Sequence, residues 1–128
     1  MGRIVTSVTI ESLFGSKKSM RCDALVDTGA SYLTLPNAWK DRLGELETIR
    51  TVELDPATQA TVSGEVCGPV KIEVEGCLPV FGEVLFVEIE PEDGLYEPLL
   101  GYLPLESCQA AVDMLGHRLV HMKRMDLK

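Results

Sequence analysis

The chain has 128 residues, 45% of them hydrophobic and 25% charged, with a net charge of −8. That length suits one domain, residues 1–128, with a proper core, and the acidity argues against nucleic acid or an anionic membrane as the main partner. No stretch approaches the roughly 20 apolar residues of a membrane span, and the N-terminus lacks the long apolar run of a secretory signal.

Met1-Gly2 with Thr6 fits a loose myristoylation pattern. Residues 3–10 are rich in β-branched side chains, however, and read better as a strand that packs into the domain. A turn at 14–18 leads to a second strand over 19–26. Tyr32 to Leu35 is a short apolar strand. Pro36 to Leu43 reads as a short helix, with Pro36 suited to its first turn and Gly44 to its stop. Trp39 and Leu43, four apart, share its buried face.

Residues 49–54 and 61–66 are strand-like and flank the turn-forming segment Asp55-Pro-Ala-Thr-Gln-Ala60, which predicts a hairpin with a projecting loop. Val70, Ile72 and Val74 alternate with Lys71, Glu73 and Glu75, the pattern of a further half-buried strand. Residues 80–89 are another strand. Leu99-Leu100-Gly101 forms a strand-to-turn unit, followed by a short helix from near Pro104. Residues 111–113 and 118–122 close the chain as two strands around a turn. The pattern is mostly β, a closed or nearly closed barrel of short strands with one or two short helices.

The four cysteines, Cys22, Cys67, Cys77 and Cys108, form no Cys-x-x-Cys pair and have no histidine at zinc spacing. They predict core thiols in a reduced, cytoplasmic protein. His117 and His121 lack acidic or cysteine companions and read as surface residues. The acidic stretch 88–93 lacks the alternating oxygen ligands of a calcium loop and reads as a solvated turn. No metal and no cofactor is expected.

The segment with chemistry in it is Asp27-Thr28-Gly29-Ala30-Ser31. An apolar run, Ala24-Leu25-Val26, delivers an aspartate into a tight Thr-Gly turn. An aspartate there also caps backbone amides, so the tripeptide alone does not separate capping from catalysis. Ala24 to Ser31 closely resembles the active-site segment of aspartic peptidases. The chain is about the size of one lobe of the two-lobed enzymes, so the closer resemblance is to the retroviral-type, retropepsin-like members, which work as homodimers. Leu99-Leu100-Gly101 matches the second signature of that family, two apolar residues and a glycine that pack under the catalytic turn.

The resemblance implies the roles that follow. Asp27 pairs with Asp27 of a second copy; Thr28 bonds across the interface; Gly29 permits close approach, and Ala30 and Ser31 complete the turn. The hairpin over 49–66 takes the place of the flap, with Leu54, Asp55, Pro56, Ala57, Thr58 and Gln59 at and around its tip. The partner would be an extended peptide substrate, with pockets among the flanking apolar positions Leu25, Leu33, Leu35, Leu54 and Leu100. Two departures from the viral pattern stand out. The flap tip has no glycine. Tyr102 and Ser31 occupy the places of an arginine and an acidic residue that pair in viral enzymes, which points to a cellular or bacterial single-lobe member. The activity expected is aspartic endopeptidase; the rival reading is a non-catalytic dimeric peptide-binding or regulatory domain of the same fold.

Overall fold

The computed structural model describes residues 3–14, 17–54, 62–88, 96–113, 115–116 and 118–122. Nine strands and two short helices follow one another: β1 (Val5–Ser12), β2 (Ser19–Val26), β3 (Leu33–Pro36), a 3-10 helix (Asn37–Leu43), β4 (Glu47–Leu54), β5 (Val62–Val74), β6 (Val80–Val87), β7 (Leu99–Leu100), α1 (Tyr102–Ser107), β8 (Ala110–Asp113) and β9 (Arg118–His121).

Seven strands form one sheet in the order β1-β2-β7-β3-β6-β5-β4, and β1 also pairs with β5. That extra pairing closes six strands into a ring and leaves β4 outside it. The alternation of side chains along each strand decides which face turns inward. On β1 these are Val8, Ile10 and Ser12, and on β5 Val70, Ile72 and Val74. The apolar core is built from Val8, Ile10, Val70, Ile72 and Val74 together with Leu33, Leu35, Val84, Phe86 and Leu100. A smaller apolar cluster, Val66, Leu85 and Val87 with Tyr32 and Val52 against it, lies apart from the main core.

The two strands expected over 61–66 and 70–74 are a single 13-residue strand, β5. Pro69 has no amide for the ladder, and the register against β6 slips between Cys67 and Val70. The strand absorbs this as a bulge rather than ending. Its N-terminal half pairs with β4 and its C-terminal half with β1. The helix expected from Pro36 is a 3-10 helix that begins at Asn37, and Gly44 at φ 75° stops it. Leu43 is buried and Trp39 packs against the core beside it. The second helix starts at Tyr102 rather than near Pro104; Pro104 is tolerated because first-turn amides have no intrahelical partner to lose.

Of the histidines, His121 differs from the surface reading: its Nε2 is buried without a hydrogen-bond partner, while His117 lies outside the described residues. Cys67 and Cys108 are buried, Cys22 and Cys77 half-buried, and all four are free thiols. Among the described residues, no helix is long and apolar enough to cross a membrane.

Candidate active site

β2 ends at Val26, so Asp27 is the first residue beyond the sheet. Its position is set by β7, which lies between β2 and β3. β7 runs parallel to β2, with Leu25 opposite Leu99 and Val26 opposite Leu100. It runs antiparallel to β3, with Leu33 opposite Leu100. The loop 27–32 therefore has to arch over the end of β7. The Asp27 amide donates to the Leu100 carbonyl at 3.0 Å, and the Ala30 amide closes the turn onto the Asp27 carbonyl at 3.1 Å.

The Asp27 carboxylate is held by the turn it heads. The Gly29 amide donates to its Oδ1 at 3.0 Å. Asp27 is half-buried, whereas Thr28 and Gly29 are exposed. The arrangement leaves a carboxylate with one fixed oxygen at the apex of an exposed turn.

The far side of the turn is bolted to α1. The Gly101 amide donates to the Tyr32 carbonyl at 3.1 Å, Tyr102 to Ala30 at 2.9 Å and Leu103 to Ser31 at 2.9 Å. Helix-start amides that would otherwise lack partners thus serve the carbonyls of the Asp27 turn. A Cβ at Gly101 would sit 2.5 Å from the Tyr32 oxygen and 2.7 Å from the Ala30 oxygen. Glycine is the residue that lets the two segments meet.

Beside the turn lies a cavity of about 550 Å³, within the usual range for a ligand site. Residues 29–32 form one wall; Val52, Leu85, Val87 and Leu99 form an apolar one, and Glu97 supplies a charge. The small cluster around Leu85 and Val87 is the floor of this cavity. On the other side of Tyr32, Arg50 of β4 donates to the Tyr32 hydroxyl and pairs with Glu83 of β6 at 3.2 Å. Those hydrogen bonds, to Tyr32 first and Glu83 second, push the Arg50 pKa up.

The structure brings the turn Asp27, Thr28, Gly29, Ala30 and Ser31 against Leu99, Leu100 and Gly101. It revises the pocket. Leu33, Leu35 and Leu100 are completely buried in the core, because they lie on the faces of β3 and β7 that turn into the ring, while Thr34 and Leu99 on the opposite faces line the cavity. Leu25 is half-buried and is not on the cavity wall. Val52, Leu85, Val87 and Glu97 line the cavity instead. Glu97 lies two residues before Leu99, and alternation puts the two on one face once the structure shows that Leu99 faces the cavity. Leu54 ends β4; the flap-tip positions Asp55, Pro56, Ala57, Thr58 and Gln59 lie outside the described residues. Among the described residues, no three His, Cys, Asp or Glu side chains gather as a metal site.

The comparisons with known proteins bear on the fold. A solved structure of EIAV protease, complexed with the inhibitor HBY-793, superposes with a TM-score of 0.61, covering 82% of this chain and 86% of that one. The fold is retropepsin-like. Sequence identity with that viral enzyme is 22%, so the similarity is one of architecture and does not place the chain among cellular relatives. No protein-family model and no curated protein matches the chain.

Proposed function

We propose that two copies of this chain form an aspartic endopeptidase in which Asp27 of each copy supplies one half of a catalytic dyad. The observation that carries this reading is the Asp27 turn itself, a carboxylate on an exposed Thr-Gly apex braced from below by Leu100 and Gly101. One chain has one such turn, and the chemistry needs two, so a twofold homodimer follows from the reading.

Two carboxylates brought face to face share one proton, because like charges at that separation resist joint ionisation. The ionised member takes a proton from a water lying between them. The protonated member donates to the scissile carbonyl oxygen as the water oxygen adds to the carbon. The gem-diol then collapses, a proton goes to the amide nitrogen, and the C–N bond breaks. No covalent intermediate, metal or cofactor is required.

Thr28, exposed on the turn, would bond across the dimer and hold the two turns in register. The β4–β5 hairpin acts as the flap over an extended peptide. The closed ring of strands is the barrel of this enzyme class, and residues 1–128 act as one domain. The Ser31 and Tyr102 departures suit a cellular or bacterial single-lobe member, and four free thiols suit a reducing, cytoplasmic setting.

The rival reading, a dimeric peptide-binding or regulatory domain that does not cleave, draws on the glycine-free run Pro56-Ala-Thr-Gln59, which suits a stiffer cover. Cleavage of a diverse peptide library by the wild type and by Asp27→Asn, from acid to neutral pH, separates the two. Turnover by the wild type alone supports the peptidase. No turnover by a protein shown to be dimeric supports the binding domain.

A further inference from the structure

We propose that Glu97 makes the cavity beside Asp27 selective for a lysine or arginine side chain of the bound peptide; this rests on the reading of that cavity as a site for an extended peptide. Among the described residues, Glu97 is the one charged side chain on the cavity wall, whose other side chains include Val52, Leu85, Val87 and Leu99. The segment that carries it is pinned. The Pro98 carbonyl accepts from the Leu25 amide at 2.9 Å and the Leu100 carbonyl from the Asp27 amide at 3.0 Å. Pro98 and Leu100 are buried, while Glu97 is exposed and Leu99 half-buried. With alternation fixed in this way, Glu97 and Leu99 share a face, and that face is the cavity.

An aliphatic wall ending in a carboxylate fits a side chain with an apolar stem and a cationic head. Lysine and arginine have that form: the methylenes lie along apolar surface while the charge stays partly in water. The carboxylate already accepts a guanidinium. Arg3 donates to Glu97 Oε2 at 2.5 Å, and the two side chains are 64% and 47% exposed. A pair so exposed contributes little, and a carboxylate has room for more than one donor. A peptide cation can therefore join Arg3 at Glu97 or displace it. The net charge of −8 draws cationic peptides toward the protein as well.

The test is affinity selection of a capped octapeptide library, randomised at every position and including norleucine, on full-length Asp27→Asn protein. Companion selections use the same background with Glu97→Gln, Glu97→Lys or Arg3→Gln, each checked for an unchanged melting temperature. The expected result is enrichment of lysine and arginine over norleucine at one position by about three- to tenfold. Glu97→Gln should abolish that enrichment, Glu97→Lys should replace it with aspartate and glutamate, and Arg3→Gln should increase it. Enrichment that survives Glu97→Gln, absence of any cationic preference, or retention of no peptide overturns the proposal. Cleavage of the same library by the wild type is scored separately. Cleavage without cation preference defeats this inference and leaves the peptidase; cation-selective binding without cleavage does the reverse.

Discussion

The Gly101 amide donates to the Tyr32 carbonyl at 3.1 Å, and a methyl group at position 101 would stand 2.5 Å from that same oxygen. The hydrogen bond and the missing side chain are two sides of one fact: α1 begins where the loop after Asp27 passes, with backbone against backbone. Gly101→Ala should therefore destabilise the protein by about 3 kcal/mol or more, because the obstructing atoms are main-chain and cannot rotate away. Denaturant unfolding checks this. A change within about 0.5 kcal/mol would mean that the close approach is not required.

Leu99 and Leu100 are neighbours with opposite duties. Leu100 is fully buried in the core, and Leu99 lines the cavity. Leu100→Ala should cost about 2–5 kcal/mol in unfolding free energy. Leu99→Ala should cost about half as much or less and should alter which peptides are bound or cut. Equal stability losses in the two variants would contradict the assigned orientations.

The positions of most strands along the chain were legible in the sequence because each rests on local patterning. Residues 19–26 form β2 with the bounds expected, since the apolar run Ala24-Leu25-Val26 stops at an Asp-Thr-Gly turn. Gly68-Pro69 carries the local signal of a break in β5, whereas pairing with β1, β4 and β6 holds the strand through it. The pocket differs from the sequence expectation for a related reason. Leu33, Leu35 and Leu100 are near Asp27 in sequence or in motif, but only the crossing of β7 between β2 and β3 shows that they face inward. Arg50, Glu83 and Tyr32 come from three separate segments, and no local pattern announces their meeting.

The thiols give a pH dependence with a definite sign. Burial, first, and then the neighbouring Asp23 push the Cys22 thiol up from 9.0 to about 11. Burial, first, and then Cys77 push Cys108 from 9.0 to about 11. Between those values the unfolded chain has lost these protons and the folded chain keeps them, so stability falls as pH rises. Their contribution is complete below pH 9 and is lost toward pH 11. Melting temperatures at pH 8 and pH 10 should fall less in a Cys22→Ala/Cys108→Ala variant than in the wild type. An equal fall in both would contradict the assignment.

Thr28 is exposed at the apex of the turn, where a second copy would cover it. If its hydroxyl bonds across the dimer, Thr28→Val removes one such bond from each side. The dimer dissociation constant, measured by sedimentation, should rise about tenfold or more. An unchanged constant would remove Thr28 from the interface.

The central claim is that each active site needs one Asp27 from each of two chains. Wild-type and Asp27→Asn protein should be mixed at constant total concentration, allowed to exchange subunits, and assayed for the initial rate of peptide cleavage. Mixed dimers would carry half a dyad, so the rate should fall as the square of the wild-type fraction. A rate that falls in simple proportion to that fraction, or no cleavage by the undiluted wild-type dimer, would contradict a dyad shared between two chains.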